Sequence, residues 1–400
     1  MISLGALRER EYRLFFAGQS VSLLGDGMVG VALSFAVLDL TGKAADLGYV
    51  FAARSVPLVG FLLVGGVFAD RLSRRAVMVG ADLVRVGTQG GLAALLLTGH
   101  AHLWQVIVLQ TIGGAASAFF DPALTGLTPL LVSREHLQQA NALRGLSTSA
   151  GVIAGPAIAG VLVATAGPGW ALAADAVTFA VSATCLAALR LPPHARLPKQ
   201  RFLHDLRDGW HEFSSRTALW SAVIAASIAN MLSAPFFVLG AAIAKSDLGG
   251  AGAWALILSA FGIGAFAGGV VALRLRPHRP FVAAFVAYLP FGFPSALLAF
   301  HASAYAIAAI ALVAGAGLMA GNATWETALQ RMIPPAVLSR VTAYDWFGSL
   351  AGQPLGYALV GPATAALGTT ATLLLAAGVT TTSNLVVLSL PSIREVTSED

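Results

Sequence analysis

Gly66-Val67-Phe68-Ala69-Asp70-Arg71-Leu72-Ser73-Arg74-Arg75 joins two long apolar runs, at 46–69 and 76–98. Each run can cross a bilayer, because about 20 apolar residues that rise about 1.5 Å each span the ~30 Å hydrocarbon core. The charged residues between the runs therefore predict a tight loop between two transmembrane helices. Short loops rich in arginine stay on the cytoplasmic side of a membrane, so we expect this loop in the cytoplasm.

The composition of the whole chain indicates an integral membrane protein. Of its 400 residues, 57% are hydrophobic and only 11% are charged, whereas a soluble domain has about 25% charged residues. The net charge of +5 fits cytoplasmic loops rich in basic residues, so we expect no nucleic-acid partner. The single cysteine, Cys185, excludes an intramolecular disulfide and a multi-cysteine metal site. We expect neither a metal nor a cofactor.

The apolar runs predict an all-α membrane protein with twelve transmembrane helices. These helices lie at 13–38, 46–69, 76–98, 102–126, 142–166, 170–190, 217–242, 252–274, 280–300, 303–328, 342–364 and 368–390. If both termini are cytoplasmic, every lysine and arginine falls in a cytoplasmic segment except Lys43, Arg54, Arg85 and Lys245. This strong bias supports the helix count, since a wrong count would scramble it.

The segment 191–216 is the one long polar connection, and it divides the chain into two six-helix halves, 1–190 and 217–400. Its prolines end the sixth helix, because proline has no backbone N–H to donate. Phe202, Leu206 and Trp210 then recur at helical spacing among charged residues. The spacing predicts an amphipathic helix on the cytoplasmic membrane surface, and a solvated linker is the alternative.

The charged loop at 66–75, which we call the signature loop, resembles the loop between the second and third helices of the major facilitator superfamily of transporters. The resemblance rests on the spacing of Gly66, Asp70, Arg71, Arg74 and Arg75. It implies a major facilitator fold, in which two halves rock around a midplane cavity and expose it to each side in turn. It also implies that Asp70 contacts the cytoplasmic start of the eleventh helix in the outward-open state, where a helix N-terminus favours a carboxylate.

The fifth predicted helix carries small residues and a proline at close spacing. They are Gly151, Gly155, Pro156 and Gly160. Such spacing lets helices approach closely, and a general packing face is one interpretation. The pattern is also similar to the motif that marks exporters of the superfamily. Phe119-Phe120-Asp121-Pro122-Ala123 and Trp325-Glu326-Thr-Ala-Leu-Gln330 resemble a bacterial branch with siderophore and macrolide exporters. The resemblance implies export.

Ionisable residues inside the predicted helices are candidates for the functional site, because each costs roughly 2.5–3.5 kcal/mol unless it finds a partner or a cavity. Asp26 and Arg54 fall at similar depths in the first two helices, so we predict that they pair. Either the pair is static, or Asp26 takes a proton or a cationic cargo while Arg54 sets its pKa. Asp82 and Arg85 share a face of the third helix, near the loop, which favours a gate role.

Other polar residues in the helices have simpler interpretations. Asn230 is a candidate for the lining of a transport pathway. Asp175 is interpreted as a charge near the N-terminus of the sixth helix, where the helix dipole favours it. Glu326 is interpreted as an interfacial carboxylate, and an ion pair with Arg331 or Arg340 is the alternative.

These features predict a monomeric secondary transporter of the bacterial inner membrane, with both termini cytoplasmic. It would export a small, mostly apolar molecule by alternating access. No nucleotide-binding loop is visible, which leaves an ion gradient, and Asp26 favours the proton. Nutrient uptake is an alternative that differs in the direction of flux, and a membrane sensor or scaffold is a third. No Ser/His dyad or His-rich cluster lies at matching depth, so we do not expect an enzyme.

Overall fold

The computed structural model of the protein describes residues 5–71, 73–191, 210–211, 213–275, 277–333 and 335–395. Side chains are described in these ranges except at 62–71, 121, 125–126, 134, 335–337 and 339–340. All regular elements of the described residues are helices. This follows from the apolar sequence, because a helix satisfies its backbone hydrogen bonds internally where no water is present.

The chain forms two compact units, and the first contains residues 1–198 with 250–255. Its long helices are α1 (Arg10–Thr41), α2 (Ala44–Arg71), α3 (Arg74–Leu97), α4 (Leu103–Leu127), α5 (Leu137–Ala166) and α6 (Pro168–Ala187). Shorter 3-10 helices are Gly5–Arg8, Thr128–Leu130 and Arg134–His136. Gly42 ends α1 with a φ of 69°, and its N–H donates to the carbonyl of Leu38. This left-handed cap lets the chain turn at once into α2.

Helix packing in the first unit depends on close glycine contacts. α1 packs along α5 and α6, α2 along α4, and α3 along α4 and α6. A Cβ on Gly155 would lie 2.6 Å from the backbone of Gly27, and a Cβ on Gly151 would lie 2.5 Å from the carbonyl oxygen of Leu23. The predicted helix-5 glycines Gly151 and Gly155 are therefore contact residues between α5 and α1. Gly160 of the same helix is buried.

The second unit contains residues 199–249 and 256–400. Its helices are α7 (Thr217–Ile243), α8 (Ala251–Ala272, whose first five residues belong to the first unit), α9 (Pro280–Tyr288), α10 (Phe293–Ala299), α11 (Ala304–Met332), α12 (Pro335–Leu350), α13 (Gln353–Leu367), α14 (Thr369–Ser389) and α15 (Pro391–Arg394). A π-helical turn, Ala244–Leu248, extends α7.

Proline residues interrupt two of the predicted helices. The predicted ninth helix consists of α9, a 3-10 helix at 289–292 and α10, with Pro290 and Pro294 at the junctions. The predicted eleventh helix consists of α12 and α13, and Pro354 lies in the first turn of α13. Proline has no N–H and clashes with the preceding turn, which explains these breaks, and Pro280–Ala299 is still one segment long and apolar enough to cross a membrane.

Nine helices of the described residues are long and apolar enough to cross a membrane. They are Arg10–Thr41, Leu103–Leu124, Leu137–Ala166, Pro168–Ala187, Thr217–Leu248, Ala251–Ala272, Pro280–Ala299, Ala304–Met332 and Thr369–Ser389. The helices α12 and α13 have only 16 and 15 residues, which is too short for each to span alone. The protein is therefore a multi-pass, all-helical membrane protein.

The predicted amphipathic helix of the linker lies mostly outside the described residues. Its described end contains Trp210 and Phe213, whose ring centroids lie 5.9 Å apart. Both rings contact Tyr344 of α12, at centroid distances of 5.5 Å and 6.1 Å. This end of the linker therefore packs against α12 within the second unit through aromatic side chains.

Candidate functional site

The first unit contains a chain of hydrogen-bonded polar side chains from four helices, and all of these side chains except the half-buried Arg54 are buried. Arg54 Nη1 on α2 donates to Gln110 Oε1 on α4 at 3.2 Å. Gln110 Nε2 donates to Gln89 Oε1 on α3 at 3.0 Å. Gln89 Nε2 donates to Asp175 Oδ2 on α6 at 2.8 Å. We call these four residues the Arg54–Asp175 chain; it links a cationic group to a carboxylate through two amides.

An ion pair with few hydrogen bonds is also buried in the first unit. Arg85 Nη1 lies 3.6 Å from Asp82 Oδ1, and the Asp82 side chain is 0% exposed. Neither Asp82 oxygen nor Arg85 Nε has a hydrogen-bond partner among the described residues. The guanidinium group lies over Phe120 at 4.5 Å and Phe179 at 5.1 Å. These rings offset part of the desolvation of Arg85, and Arg85 and the Ser182 hydroxyl are favourable neighbours of the Asp82 carboxylate.

The structure replaces the predicted Asp26–Arg54 ion pair with the Arg54–Gln110 hydrogen bond. The ion pairs of the described side chains do not include one between Asp26 and Arg54. Because α2 packs along α4 rather than α1, Arg54 reaches the neighbouring amide instead. Asp26 is half-buried and interacts electrostatically with Asp82 and Asp175. Asp26 thus belongs to a group of three carboxylates.

Asp175 is a buried carboxylate, which corrects its interpretation as a helix-terminal charge. Its residue is 0% exposed, and its Oδ1 has no hydrogen-bond partner among the described residues. A Cβ on Gly25 of α1 would lie 2.5 Å from this oxygen, so only glycine leaves room for it. One sequence signal could have indicated the site: Asp82, Arg85 and Gln89 lie three and four residues apart, on one face of α3.

The described part of the signature loop joins α3 to α6. Arg75 Nη1 donates to the carbonyl of Leu189 at 2.8 Å, and Nη2 donates to the carbonyl of Ala187. A cation at free carbonyls near a helix C-terminus is favourable. Arg75 therefore fixes the start of α3 against the end of α6, a role that the sequence did not indicate. The predicted contacts of Gly66, Asp70 and Arg71 lie outside the described side chains.

The N-terminal 3-10 helix and the following Glu9 are fixed to the first turn of α5 and to the segment before it. Glu9 Oε1 accepts a hydrogen bond from Ser133 N at 3.1 Å and lies 3.1 Å from His136 Nδ1. Ala6 N donates to Gln139 Oε1 at 2.7 Å. The Ser133 hydrogen bond holds the pKa of Glu9 below its usual value.

The second unit contains a cavity of about 220 Å³, lined by α7, α9, α11, α12 and α14. We call it the α11–α12 cavity. Its polar lining residues are Asn230, Tyr288, Asn322, Glu326, Asp345, Ser349 and Asn384. Its aromatic lining residues are Phe285, Tyr288, Phe291, Trp325 and Trp346. None of the described residues that line it is a lysine, arginine or histidine.

Hydrogen bonds fix several side chains of this cavity. Tyr288 Oη donates to Asn322 Oδ1 at 2.8 Å, and Trp325 Nε1 donates to Asp345 Oδ2 at 3.3 Å. Asn230 lines the cavity, but its Nδ2 donates to the backbone carbonyl of Ser349 at 3.1 Å. Asn230 therefore also ties α7 to α12.

Glu326 lines this cavity and does not form the alternative ion pair with Arg331. The described side chains show no ion pair between Glu326 and Arg331, and the Arg340 side chain lies outside them. Glu326 interacts electrostatically with Asp345. No group of three His, Cys, Asp or Glu in the described part of the chain is placed to hold a metal ion.

The sequence profile of the family described as transmembrane secretion effectors matches residues 2–400. The protein belongs to this family of the major facilitator superfamily. This chain is 29% identical over 365 residues to the enterobactin exporter EntS of Citrobacter koseri, and the match covers 88% of this chain and 84% of the relative. It is 24% identical over 221 residues to macrolide efflux protein A of Streptococcus pyogenes. That match covers 54% of this chain and spans about half, 55%, of the relative's length.

Solved structures show the same fold at low sequence identity. A crystal structure of a POT family transporter in complex with 5-aminolevulinic acid has a TM-score of 0.76 and 12% identity. The match covers 95% of this chain and 96% of that one. The predicted membership in an efflux branch of the superfamily is confirmed by the family and its exporter relatives.

Proposed function

We propose that the protein is a proton-coupled exporter of a small, mostly apolar molecule. Alternating access of two six-helix halves, 1–190 and 217–400, would carry the cargo across the inner membrane, with both termini cytoplasmic. The family and two exporter relatives support transport and efflux. The observation that carries proton coupling is the pair of fully buried carboxylates, Asp82 and Asp175, of which Asp175 Oδ1 accepts no hydrogen bond from described residues.

A proton is the simplest partner for such oxygens. Buried polar atoms are nearly always hydrogen-bonded, so a carboxylate oxygen without a protein donor inside a membrane helix is a candidate for proton exchange. Protonation removes the charge that burial disfavours and turns one oxygen into a donor. Asp82 and Asp175 therefore have a physical reason to bind a proton that a surface carboxylate lacks.

The charges around these carboxylates favour uptake of one proton. Asp26, Asp82 and Asp175 are three acids, and Arg54 and Arg85 are two bases. One added proton balances the group. Protonation of Asp82 weakens its attraction to Arg85, and deprotonation restores it. Protonation of Asp175 on α6 likewise weakens the hydrogen bond that it accepts from Gln89 on α3, which couples a charge change to the contact between these two helices.

The test is dye and antibiotic efflux from cells that express the protein, with and without a protonophore. Wild type is compared with Asp26→Asn, Asp82→Asn and Asp175→Asn, each at matched amounts in the membrane. The control is Asp46→Asn, which removes an acid in the first turn of α2. We expect protonophore-sensitive efflux in wild type and the control, and loss of efflux in Asp82→Asn or Asp175→Asn.

Other outcomes would change the proposal. Efflux that survives all three substitutions but not the protonophore would locate the proton site elsewhere. Accumulation in place of efflux would favour nutrient uptake. No flux of any compound in either direction would favour a membrane sensor or scaffold.

A further inference from the structure

The α11–α12 cavity is lined by carboxylates and aromatic rings that have no role in the proposed proton coupling. We propose that it binds the positively charged end of the cargo, an alkylated amine or quaternary ammonium group, with Glu326 and Asp345 as its counter-charges. The inference rests on the proposed exporter function and specifies the chemical class of the cargo. It concerns the second unit only.

The first argument is the charge of the cavity. Glu326 and Asp345 both line it, and they interact electrostatically with each other. None of the described lining residues is basic, and neither acid has an ion pair among the described side chains. Two carboxylates that face one volume repel each other, and a cation between them removes that repulsion. The cavity therefore favours a cation over an anion or a neutral group.

The second argument is the aromatic wall. Tyr288, Phe291 and Trp325 line the cavity with the two acids. Aromatic faces attract alkylated ammonium groups, and cages of aromatic rings are a recurrent way to bind them. Phe285 packs edge-on against Tyr288 at 5.6 Å, which fixes the orientation of that ring. An alkylated amine satisfies both the acids and the rings, whereas a hydrated metal cation satisfies only the acids.

The third argument is the position of Asp345. Trp325 Nε1 donates to Asp345 Oδ2 at 3.3 Å, so one carboxylate oxygen is held by the protein. Asp345 is thereby oriented on α12, opposite the α11 residue Glu326. Trp325 acts as a positioning residue for this carboxylate.

The volume of the cavity limits the size of the ligand that it can bind. The cavity holds about 220 Å³, whereas sites for drug-sized ligands hold about 300–1,000 Å³. It therefore accommodates one charged group with one ring or a short alkyl chain. A larger cargo would place only its charged end here.

The test is binding to the purified full chain in detergent micelles at pH 7.5. The probe is benzyltrimethylammonium, and its uncharged carbon isostere, neopentylbenzene, is the matched control ligand. Tryptophan fluorescence reports binding, because Trp325 and Trp346 line the cavity. We expect the ammonium compound to bind more tightly than its isostere by at least about tenfold.

Three variants distinguish a binding role from a structural one. Glu326→Gln and Asp345→Asn should each weaken ammonium binding by at least about tenfold and leave isostere binding unchanged. Asp247→Asn is the matched acid control, because Asp247 lies in the π-helical turn after α7, outside the cavity lining. Trp325→Phe should weaken ammonium binding less than Asp345→Asn. Unchanged isostere binding shows that a variant is folded.

The inference would be overturned by equal binding of the two ligands, or by ammonium binding that is unchanged in both carboxylate variants. It would also be overturned if the variants lost proton coupling but kept ammonium binding, because the acids would then be a proton site. Specific ammonium binding without proton-driven efflux would support this site and contradict the proposed function. Proton-driven efflux of neutral compounds without ammonium binding would support the proposed function and contradict this binding site.

Discussion

The buried carboxylates of the two units have different surroundings. In the first unit, acids lie against bases and amides: Asp82 is 3.6 Å from Arg85, and Asp175 accepts from Gln89 at 2.8 Å. In the second unit, Glu326 and Asp345 face a cavity with no described base in its lining. Carboxylates that are buried beside bases and amides but outnumber the bases suit an exchange of protons, whereas carboxylates that face open volume suit a ligand that brings the opposite charge.

The largest expected effect tests this difference directly. Arg85→Met leaves Asp82 buried without its cation, so we expect a loss of about 3–5 kcal/mol in the free energy of unfolding. Glu326→Gln removes an acid that has no described cation and should change stability by less than about 1 kcal/mol. Thermal unfolding of both variants in detergent measures the contrast. The double variant Asp82→Asn with Arg85→Met should regain most of the loss, and equal effects of the two single substitutions would contradict the comparison.

The next effect concerns the hydrogen bonds of the two sites. Gln89→Leu breaks the Arg54–Asp175 chain in its middle and leaves Asp175 without its donor, which should cost about 1–3 kcal/mol. Tyr288→Phe removes the bond to Asn322 beside a cavity and should cost about 0.5–1.5 kcal/mol. Unfolding in the same detergent ranks the two variants. A larger loss for Tyr288→Phe would mean that the cavity side chains are the more tightly constrained set.

A smaller net change in the free energy of unfolding tests whether the helices of the two units are packed equally tightly at their glycine contacts. Gly155→Ala pushes a methyl group into the backbone of Gly27, and overpacking costs about 1–3 kcal/mol. Alanine also favours the helix by about 0.5–1 kcal/mol, which reduces the net loss. Gly145→Ala on the same helix meets nothing within 4 Å and should be neutral or stabilising. Gly356→Ala in the second unit meets the Met231 backbone, so it should behave like Gly155→Ala.

The smallest effect depends on pH and lies outside both sites. The pKa of Glu9 is below its usual value of 4.5 in the folded chain, chiefly because the Ser133 N–H donates to it. A lowered folded-state pKa adds stability above the unfolded value, and this stability is lost as pH falls through the folded value. The melting temperature of Glu9→Gln should therefore be slightly below that of wild type at pH 7. The difference should shrink below about pH 4; a difference that is independent of pH would exclude this carboxylate as the cause.

The sequence predicted several residues of the polar site in the first unit, but not the hydrogen bonds that connect them. Asp82 and Arg85 were expected on one face of α3, and their 3.6 Å separation confirms it, because helical spacing fixes that relation locally. The Asp26–Arg54 pair was inferred from equal depth alone. Depth along a helix gives the height of a residue, but the packing of neighbouring helices decides which residue it faces. Arg54 consequently meets Gln110.

Composition and local pattern by themselves determined the membrane class, the order of most helices and the family. These features depend on apolar length, charge bias and short motifs, which act within about 20 residues. Only the tertiary structure decided that Gln89 and Asp175, 86 positions apart, share a hydrogen bond, and that Glu326 and Asp345 line one cavity. Such contacts depend on how each helix is rotated against its neighbours. That rotation is set by packing between distant segments, such as Gly155 against Gly27, which no local pattern contains.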